Sequence, residues 1–131
     1  MLIDTESLRL SPTTHLFEGG PQAGVSLSIF LVDYAPGTGA RLHVHPHPEV
    51  FVIERGEATF NVDGREIVAR AGQILVAPAN KPHRFICTGA TALHAVNIIP
   101  SGKVITTWLE PAPSADVPGR NPDSLGPPEA L

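Results

Sequence analysis

Short runs of β-branched and aromatic residues, separated by turn residues, fill most of the chain. Runs such as "VSLSIFLV", "EVFVIE" and "ATFNV" have the length of single strands, and the pairs Pro36-Gly37 and Asp63-Gly64 mark turns. Turn signals recur at intervals of about 8 to 12 residues, and no long segment has helical periodicity. The pattern predicts an all-β sandwich or small barrel, with a tight type I′ hairpin at Asp63-Gly64.

Composition narrows the classes of protein that this chain can belong to. A length of 131 residues suits one domain, and the single cysteine, Cys87, excludes an internal disulfide. The net charge of −4 and the scattered basic residues argue against a nucleic-acid partner. No run approaches the roughly 18 apolar residues that span a bilayer, and the first residues lack a secretory pattern. We therefore expect a cytoplasmic protein that has neither nucleic acid nor membrane as a partner.

The C-terminal segment has a different character from the strand-rich body. Six prolines fall within residues 111–131, and no apolar period continues there. Such a composition favours a flexible tail, and the alternative is an arm packed on a partner subunit. We therefore expect a β-domain over residues 1–110 and a proline-rich tail over 111–131.

The stretch "HVHPHPE", residues 43–49, concentrates three histidines and a glutamate. It could be a metal site, a polar turn or a pH-sensitive loop. His43 and His45 share one face of a strand, whereas the prolines beside His47 interrupt the ladder, so a new strand is expected to begin at Glu49. Alternation places Glu49 on the core side with Phe51, and a buried carboxylate must be paired or metal-bound.

Imidazole and carboxylate groups together suit Fe, Mn, Ni, Zn or Cu as divalent ions. A fourth ligand must come from elsewhere in the chain. His83 lies at the start of a strand after a proline-rich loop, His15 lies near the N-terminus, and His94 lies in "ALHAVNI". The spacing alone does not choose among these three.

Two stretches resemble the signature motifs of the cupin superfamily. The first is "GTGARLHVHPHPEVFVIERG", in which Gly37 is followed by five residues, His43-x-His45, three residues, Glu49, six residues and Gly56. All of these positions match the spacing of the family. The likeness is to small single-domain members of the cupin 2 type, including those similar to quercetin dioxygenases.

The second motif is "GQILVAPANKPHRFIC", with Gly72, five residues, Pro78 and then His83 at the expected place. Fifteen residues separate the two motifs, which span 37–56 and 72–87, as in compact members of the family. Two positions depart from the pattern. Asn80 replaces a glycine, which it can mimic because asparagine tolerates left-handed turns, and Cys87 replaces an asparagine. Neither departure removes a ligand.

The resemblance implies a double-stranded β-helix, or jelly roll, with the metal inside the wider mouth of the barrel. It selects His83 as the fourth ligand, beside His43, His45 and Glu49. It also carries the expectation that the chain forms a homodimer. Glu49 is in addition a candidate proton shuttle.

Four protein ligands on an octahedral ion leave two positions for water, O2 or a substrate. The first functional hypothesis is a dioxygenase-like, metal-dependent oxidoreductase acting on a small enolisable or chelating, oxygen-rich substrate. The alternatives are a non-catalytic cupin that binds a ligand or metal as a sensor or store, and a metal-dependent isomerase or lyase. The ligand set does not choose among them.

Five further residues carry expectations of their own. We expect His47 to be a solvent-side turn residue or a hydrogen-bond donor near the site, and the alternative is a metal ligand. We expect His94 to be a buried, hydrogen-bonded core residue. We expect Cys87 to be a small core hydrophobe and Asn97 to line the barrel or pair with backbone. Trp108 is expected to pack the tail or a subunit contact.

Overall fold

The structure is a computed structural model that describes residues 1–111. The all-β prediction is confirmed. The predicted tail lies outside the described residues except for Pro111, and the domain boundary at residue 110 stays a prediction. The strands are β1 (Arg9–Ser11), β2 (Thr14–Glu18), β3 (Ser28–Tyr34), β4 (Gly39–Val44), β5 (Glu49–Arg55), β6 (Glu57–Val62), β7 (Arg65–Arg70), β8 (Ile74–Ala77), β9 (His83–Cys87), β10 (Leu93–Ile99) and β11 (Thr107–Trp108).

Two short helical pieces accompany the strands. A 3₁₀ turn occupies Thr5–Leu8, and the helix α1 covers Gly19–Ala23. The helix ends at Gly24, whose φ of 67° is easily adopted by glycine. No helix among the described residues is long and apolar enough to cross a membrane.

The strands form two sheets that face each other, as in a jelly roll. The first sheet has the order β1-β2-β3-β10-β5-β8, and the second has the order β11-β4-β9-β6-β7. All the pairings are antiparallel. Strands that are distant in the sequence are neighbours in both sheets, so long-range pairing stabilises the fold. The same pairing brings residues of both motifs close together.

The core lies between the two sheets and follows the alternation expected from the sequence. Glu49, Phe51 and Ile53 all point inward from β5 and are buried. The rings of Phe51, Phe60 and Phe85 pack on one another with centroids 4.9 to 5.8 Å apart. The Phe51 ring is also 6.0 Å from that of His83, so the aromatic cluster adjoins the polar cluster in the interior.

Left-handed backbone occurs where the turn residues predict it. Asp63 and Gly64 have φ values of 51° and 80°, which fits the predicted type I′ hairpin between β6 and β7. Asn80 has a φ of 62°, so it takes the conformation that glycine takes in the family pattern. The Asn80 N–H donates to the main-chain oxygen of His45 at 2.8 Å, which ties the loop before β9 to the first motif.

Candidate metal centre

Three strands and the loop between two of them bring four candidate ligands together. His43 lies on β4 directly opposite His83 on β9, His45 follows the end of β4, and Glu49 begins β5. All four side chains are buried, and one ligand atom from each lies within 4.8 Å of the others. The structure therefore brings the four predicted residues to one point; their role as metal ligands stays a prediction.

The carboxylate of Glu49 lies between two of the rings. Its Oε1 is 3.1 Å from Nε2 of His45 and 3.2 Å from Nε2 of His83. Two ligand atoms at right angles on an ion, each about 2.1 Å from it, would lie about 3 Å apart. The spacing and the donor set therefore fit a divalent transition metal.

Each histidine uses its other nitrogen to bind the main chain. Nδ1 of His43 donates to the oxygen of Arg41 at 2.7 Å, and Nδ1 of His83 donates to that of Lys81 at 3.1 Å. Nδ1 of His45 donates to the oxygen of Ile105 at 2.9 Å. A carbonyl can only accept, so these bonds fix all three rings with Nε2 directed to the cluster. This is the arrangement that orients histidines on a metal.

Electrostatics favour the protonation states that a metal requires. Burial, followed by the neighbouring ring of His83, lowers the pKa of His43 from its usual 6.5 to about 3. Burial acts to raise the pKa of Glu49, but hydrogen bonds with His45 and His83 outweigh it and hold the pKa well below its usual range. The neutral imidazole of His43 and the ionised carboxylate of Glu49 are the forms in which these groups bind a metal.

A narrow cavity leads to the cluster from inside the barrel. Its volume is about 20 Å³, a little more than the roughly 10 to 15 Å³ that one water needs. Besides three of the candidate ligands, its lining is mostly apolar and includes one titratable side chain, Tyr34. The lining residues are Phe30, Val32, Tyr34, Ala40, His43, His45, Glu49, Phe85, Asn97, Thr106 and Trp108.

Trp108 lies beside the cluster, a position that the sequence did not predict. Strand β11 pairs with β4, so Trp108 is opposite His43, and the two rings are 4.9 Å apart. The guanidinium of Arg41 lies 4.2 Å from the centre of the indole. The expectation that Trp108 packs the tail or a subunit contact stays a prediction, because the tail lies outside the described residues apart from Pro111, but the residue does form part of the cavity wall. Only the pairing of β11 with β4, some 60 residues earlier in the chain, reveals this.

His47 supports the cluster from outside. Its ring stacks on that of His45, with centroids 5.0 Å apart, and its Nε2 accepts a hydrogen bond from the N–H of Ile105 at 3.3 Å. Burial lowers its pKa. His47 is therefore a hydrogen-bonding neighbour of the site, but the expectation of a donor is wrong, because the ring accepts the bond from Ile105.

The remaining histidines lie away from the centre. The His94 side chain is 36% exposed and has Nδ1 3.7 Å from a carboxylate oxygen of Asp33, so the expectation of a buried core residue is wrong. On β10 the inward positions are the odd-numbered ones, including Asn97, and His94 therefore faces outward. His15 lies on β2 next to Glu6.

Cys87 and Asn97 face the interior. Cys87 is buried, and its thiol donates to the main-chain oxygen of Thr91 at 3.3 Å, as expected for a small core residue. Asn97 is 3% exposed and lines the cavity, so the first of its two expected roles is confirmed.

Solved structures with the same fold include an oxalate decarboxylase and an oxalate oxidase. Bacillus subtilis oxalate decarboxylase matches with 21% identity and a TM-score of 0.67, over 76% of this chain and 28% of that chain. An oxalate oxidase matches with 23% identity and a TM-score of 0.68, over 76% of this chain and 57% of that chain. A further structure of the decarboxylase is described by its Mn(II) centres, and one of the oxidase contains the substrate analogue glycolate. At these identities the likeness shows the fold alone.

Comparison at the level of sequence gives one match and one negative result. No curated protein matches the chain significantly. Residues 30–99 match the family model described as "Cupin domain". That range is more than half of the chain, and it contains both motifs and all four candidate ligands. The chain therefore belongs to the cupin family.

Proposed function

We propose that this cupin binds a divalent transition metal through His43, His45, Glu49 and His83 and acts as a metal-dependent enzyme on a small, oxygen-rich anion. The observation that carries the proposal is the buried cluster, in which three histidines are fixed by main-chain carbonyls with Nε2 inward. A structural role alone does not require such an arrangement. The bound ion would supply Lewis-acid or redox chemistry.

Charge and cavity size narrow the substrate class. Three neutral imidazoles and one carboxylate around a divalent ion leave a local charge of about +1, which attracts an anionic or chelating oxygen group. The cavity of about 20 Å³ holds little more than one water, so a substrate must widen it, and a substrate of a few heavy atoms requires less widening than a flavonol. Small enolisable or hydroxylated carboxylic acids meet both conditions. The matched enzymes are named for oxalate, which is a small, chelating dicarboxylic acid.

Proton transfer has few candidate groups in this cavity. Tyr34 is the titratable side chain in the lining apart from the ligands, and it is 1% exposed. The low pKa of Glu49 makes its carboxylate a weak base, so a role as proton shuttle requires it to leave the imidazoles. This shortage favours one alternative, a non-catalytic cupin that holds a metal or ligand as a sensor or store.

One experiment separates these functions. The protein is purified and its metals are measured, and the metal-loaded form is then assayed for O2 uptake and CO2 release. The panel comprises oxalate, glycolate, a β-diketone and a flavonol. We expect turnover of a small acid or diketone and none of the flavonol. Full metal occupancy without turnover of any compound would contradict the enzyme and support the binding protein.

The outer face of the first sheet suggests the partner. Two apolar rows cross five strands in register, interrupted by one histidine. A six-stranded face with strands about 20 Å long covers roughly 600 Å², close to the 800 Å² per partner of a stable interface. The rows are His15, Leu31, Val96, Val52 and Ile74, and Phe17, Ile29, Ile98, Val50 and Val76.

We propose that a second copy of the chain covers this face, because two identical sheets can pack face to face about a two-fold axis. The N-terminal residues border an apolar groove of about 430 Å³ on β2 and β3, which would enlarge the interface. Light scattering should give twice the monomer mass of 13.9 kDa. The variant Val52→Lys should be a folded monomer, and Ile86→Lys, on the other sheet, should stay a dimer. A monomeric wild type would contradict the proposal.

A further inference from the structure

Two buried polar groups in the cavity have no partner within the described part of the protein. Asn97 is 3% exposed, and its Oδ1 accepts no hydrogen bond. The indole Nε1–H of Trp108 is also buried without an acceptor. Both residues line the cavity that leads to the metal cluster. The Asn97 oxygen is therefore an unsatisfied acceptor, and the Trp108 N–H is an unsatisfied donor.

The position of Asn97 in the sheet places it near the ligands. It lies on β10 between Phe30 of β3 and Phe51 of β5 and points inward with them. Glu49 is two residues before Phe51 on the same face, so Asn97 and Glu49 are diagonal neighbours. Such neighbours have Cβ atoms about 7 Å apart, so a ligand that contacts the Glu49 side of the cluster lies within reach of the Asn97 amide.

An unpaired amide in apolar surroundings is costly for the folded protein. Phe30, Phe51 and Phe85 surround this part of the barrel and would accept an apolar side chain at position 97 without loss of packing. A polar group that stability does not require, aimed into a cavity beside a metal cluster, is typical of ligand recognition.

We infer that Asn97 orients the ligand by accepting a hydrogen bond from a hydroxyl group, while the Nε1–H of Trp108 donates to an oxygen of the same ligand. This inference rests on the proposed metal-dependent function and narrows its substrate class. The ligand is a small acid with a hydroxyl donor, such as a 2-hydroxy acid or a singly protonated dicarboxylic acid.

Two probe molecules test whether a hydroxyl donor on the ligand contributes to binding. Glycolate and methoxyacetate both present a carboxylate and a neighbouring oxygen to a metal, and glycolate alone has a hydroxyl hydrogen. Their dissociation constants are measured by calorimetry on the Mn²⁺-loaded protein, whose metal content is determined first. We expect the wild type to prefer glycolate, and Asn97→Leu to reduce the ratio of the two constants by about fivefold.

Companion variants separate recognition from structure. Asn97→Asp keeps an acceptor oxygen and should keep the ratio of the two constants. A second control is Asn61→Leu, which makes the same change on β6 away from the cavity, and it should also keep the ratio. Trp108→Phe should weaken both probes equally, because both present a carboxylate to the indole. The Tm of Asn97→Leu should equal or exceed that of the wild type.

Three results would overturn the inference. The first is an Asn97→Leu variant with the wild-type ratio of the two dissociation constants, although the wild type binds the metal and both probes. That result would leave the proposed function intact. The second is loss of the ratio in Asn97→Asp. The third is a wild type that binds Mn²⁺ but neither probe, which would overturn the proposed substrate class as well.

Discussion

His45 and Ile105, sixty residues apart, are joined by a hydrogen bond from Nδ1 of the histidine to the main-chain oxygen, at 2.9 Å. The N–H of Ile105 in turn donates to Nε2 of His47. One peptide segment is thus held by two histidines of the first motif. The segment that leads into β11 therefore orients a predicted metal ligand as well as completing the second sheet.

This relationship predicts that His47 contributes to metal affinity without binding the metal. In His47→Ala the stacking on His45 and the bond to Ile105 are both lost, and the affinity should fall by about tenfold, the lower end for residues that orient ligands. Chelator competition measures the change. His15→Ala, on β2, is the matched control and should have the wild-type affinity. Equal affinities for His47→Ala and the wild type would contradict the role.

The turn at Asn80 gives a prediction on stability. Because φ is 62° there, Asn80→Ala should lower the free energy of unfolding by about 1 kcal/mol, whereas Asn80→Gly should be close to neutral. Urea unfolding of the metal-free proteins measures both variants. The Asn80 N–H bond to His45 is a main-chain bond and is kept in both. Equal stabilities of the two variants would refute the backbone explanation.

The phenylalanine cluster predicts a larger loss of stability. Phe51 is 1% exposed and touches Phe60 and Phe85, so Phe51→Ala should cost about 3 to 5 kcal/mol. Ile86 on β9 is 44% exposed, and Ile86→Ala should cost less than about 1 kcal/mol. Denaturant unfolding compares the two. Similar losses would mean that the packing between the sheets is not the main stabilising contact.

The lowered pKa of His43 predicts how acid acts on the metal-free protein. The unfolded chain takes up a proton near the usual pKa of 6.5, whereas the folded protein resists it until about 3. The contribution to stability is therefore fully present above pH 6.5 and is lost as the pH falls toward 3. The carboxyl of Glu49 adds to the loss only near and below its usual 4.5, so the interval from about pH 7.5 to 5.5 reports on histidines, and these include His47, whose pKa burial also lowers.

The test is the Tm of chelator-treated protein across that interval. The wild type should lose stability as the pH falls, and His43→Gln, which cannot titrate there, should lose less. A pH dependence that is the same in both proteins would show that His43 is not the group responsible.

Local rules predicted much of this fold. The Asp63-Gly64 hairpin follows from turn chemistry, and the inward direction of Glu49 follows from its alternation with Phe51. Both depend on neighbours in the sequence. The choice of His83 came from the family likeness, because its pairing with His43 across β4 and β9 joins segments about 40 residues apart.

The positions of Trp108 and His94 depend on pairing between strands that are distant in the sequence, so local patterns did not predict them. Trp108 reaches the cavity only because β11 pairs with β4, and a two-residue strand has no detectable period. His94 was misjudged because its apolar neighbours on alternate positions, Val96 and Ile98, lie on the outer face of the first sheet. An apolar row on the outer face has the same pattern as a core row, so periodicity alone cannot separate them.

Metal content tests the central claim most directly. Wild-type protein and the variants His83→Ala and His15→Ala are loaded with Mn²⁺, dialysed and analysed by mass spectrometry of the metals. The wild type and His15→Ala should each hold one ion per chain. His83→Ala should bind at least about 100-fold more weakly, because even orienting residues change affinity by 10- to 100-fold. Equal metal content in all three proteins, or equal loss in both variants, would contradict a centre formed by His43, His45, Glu49 and His83.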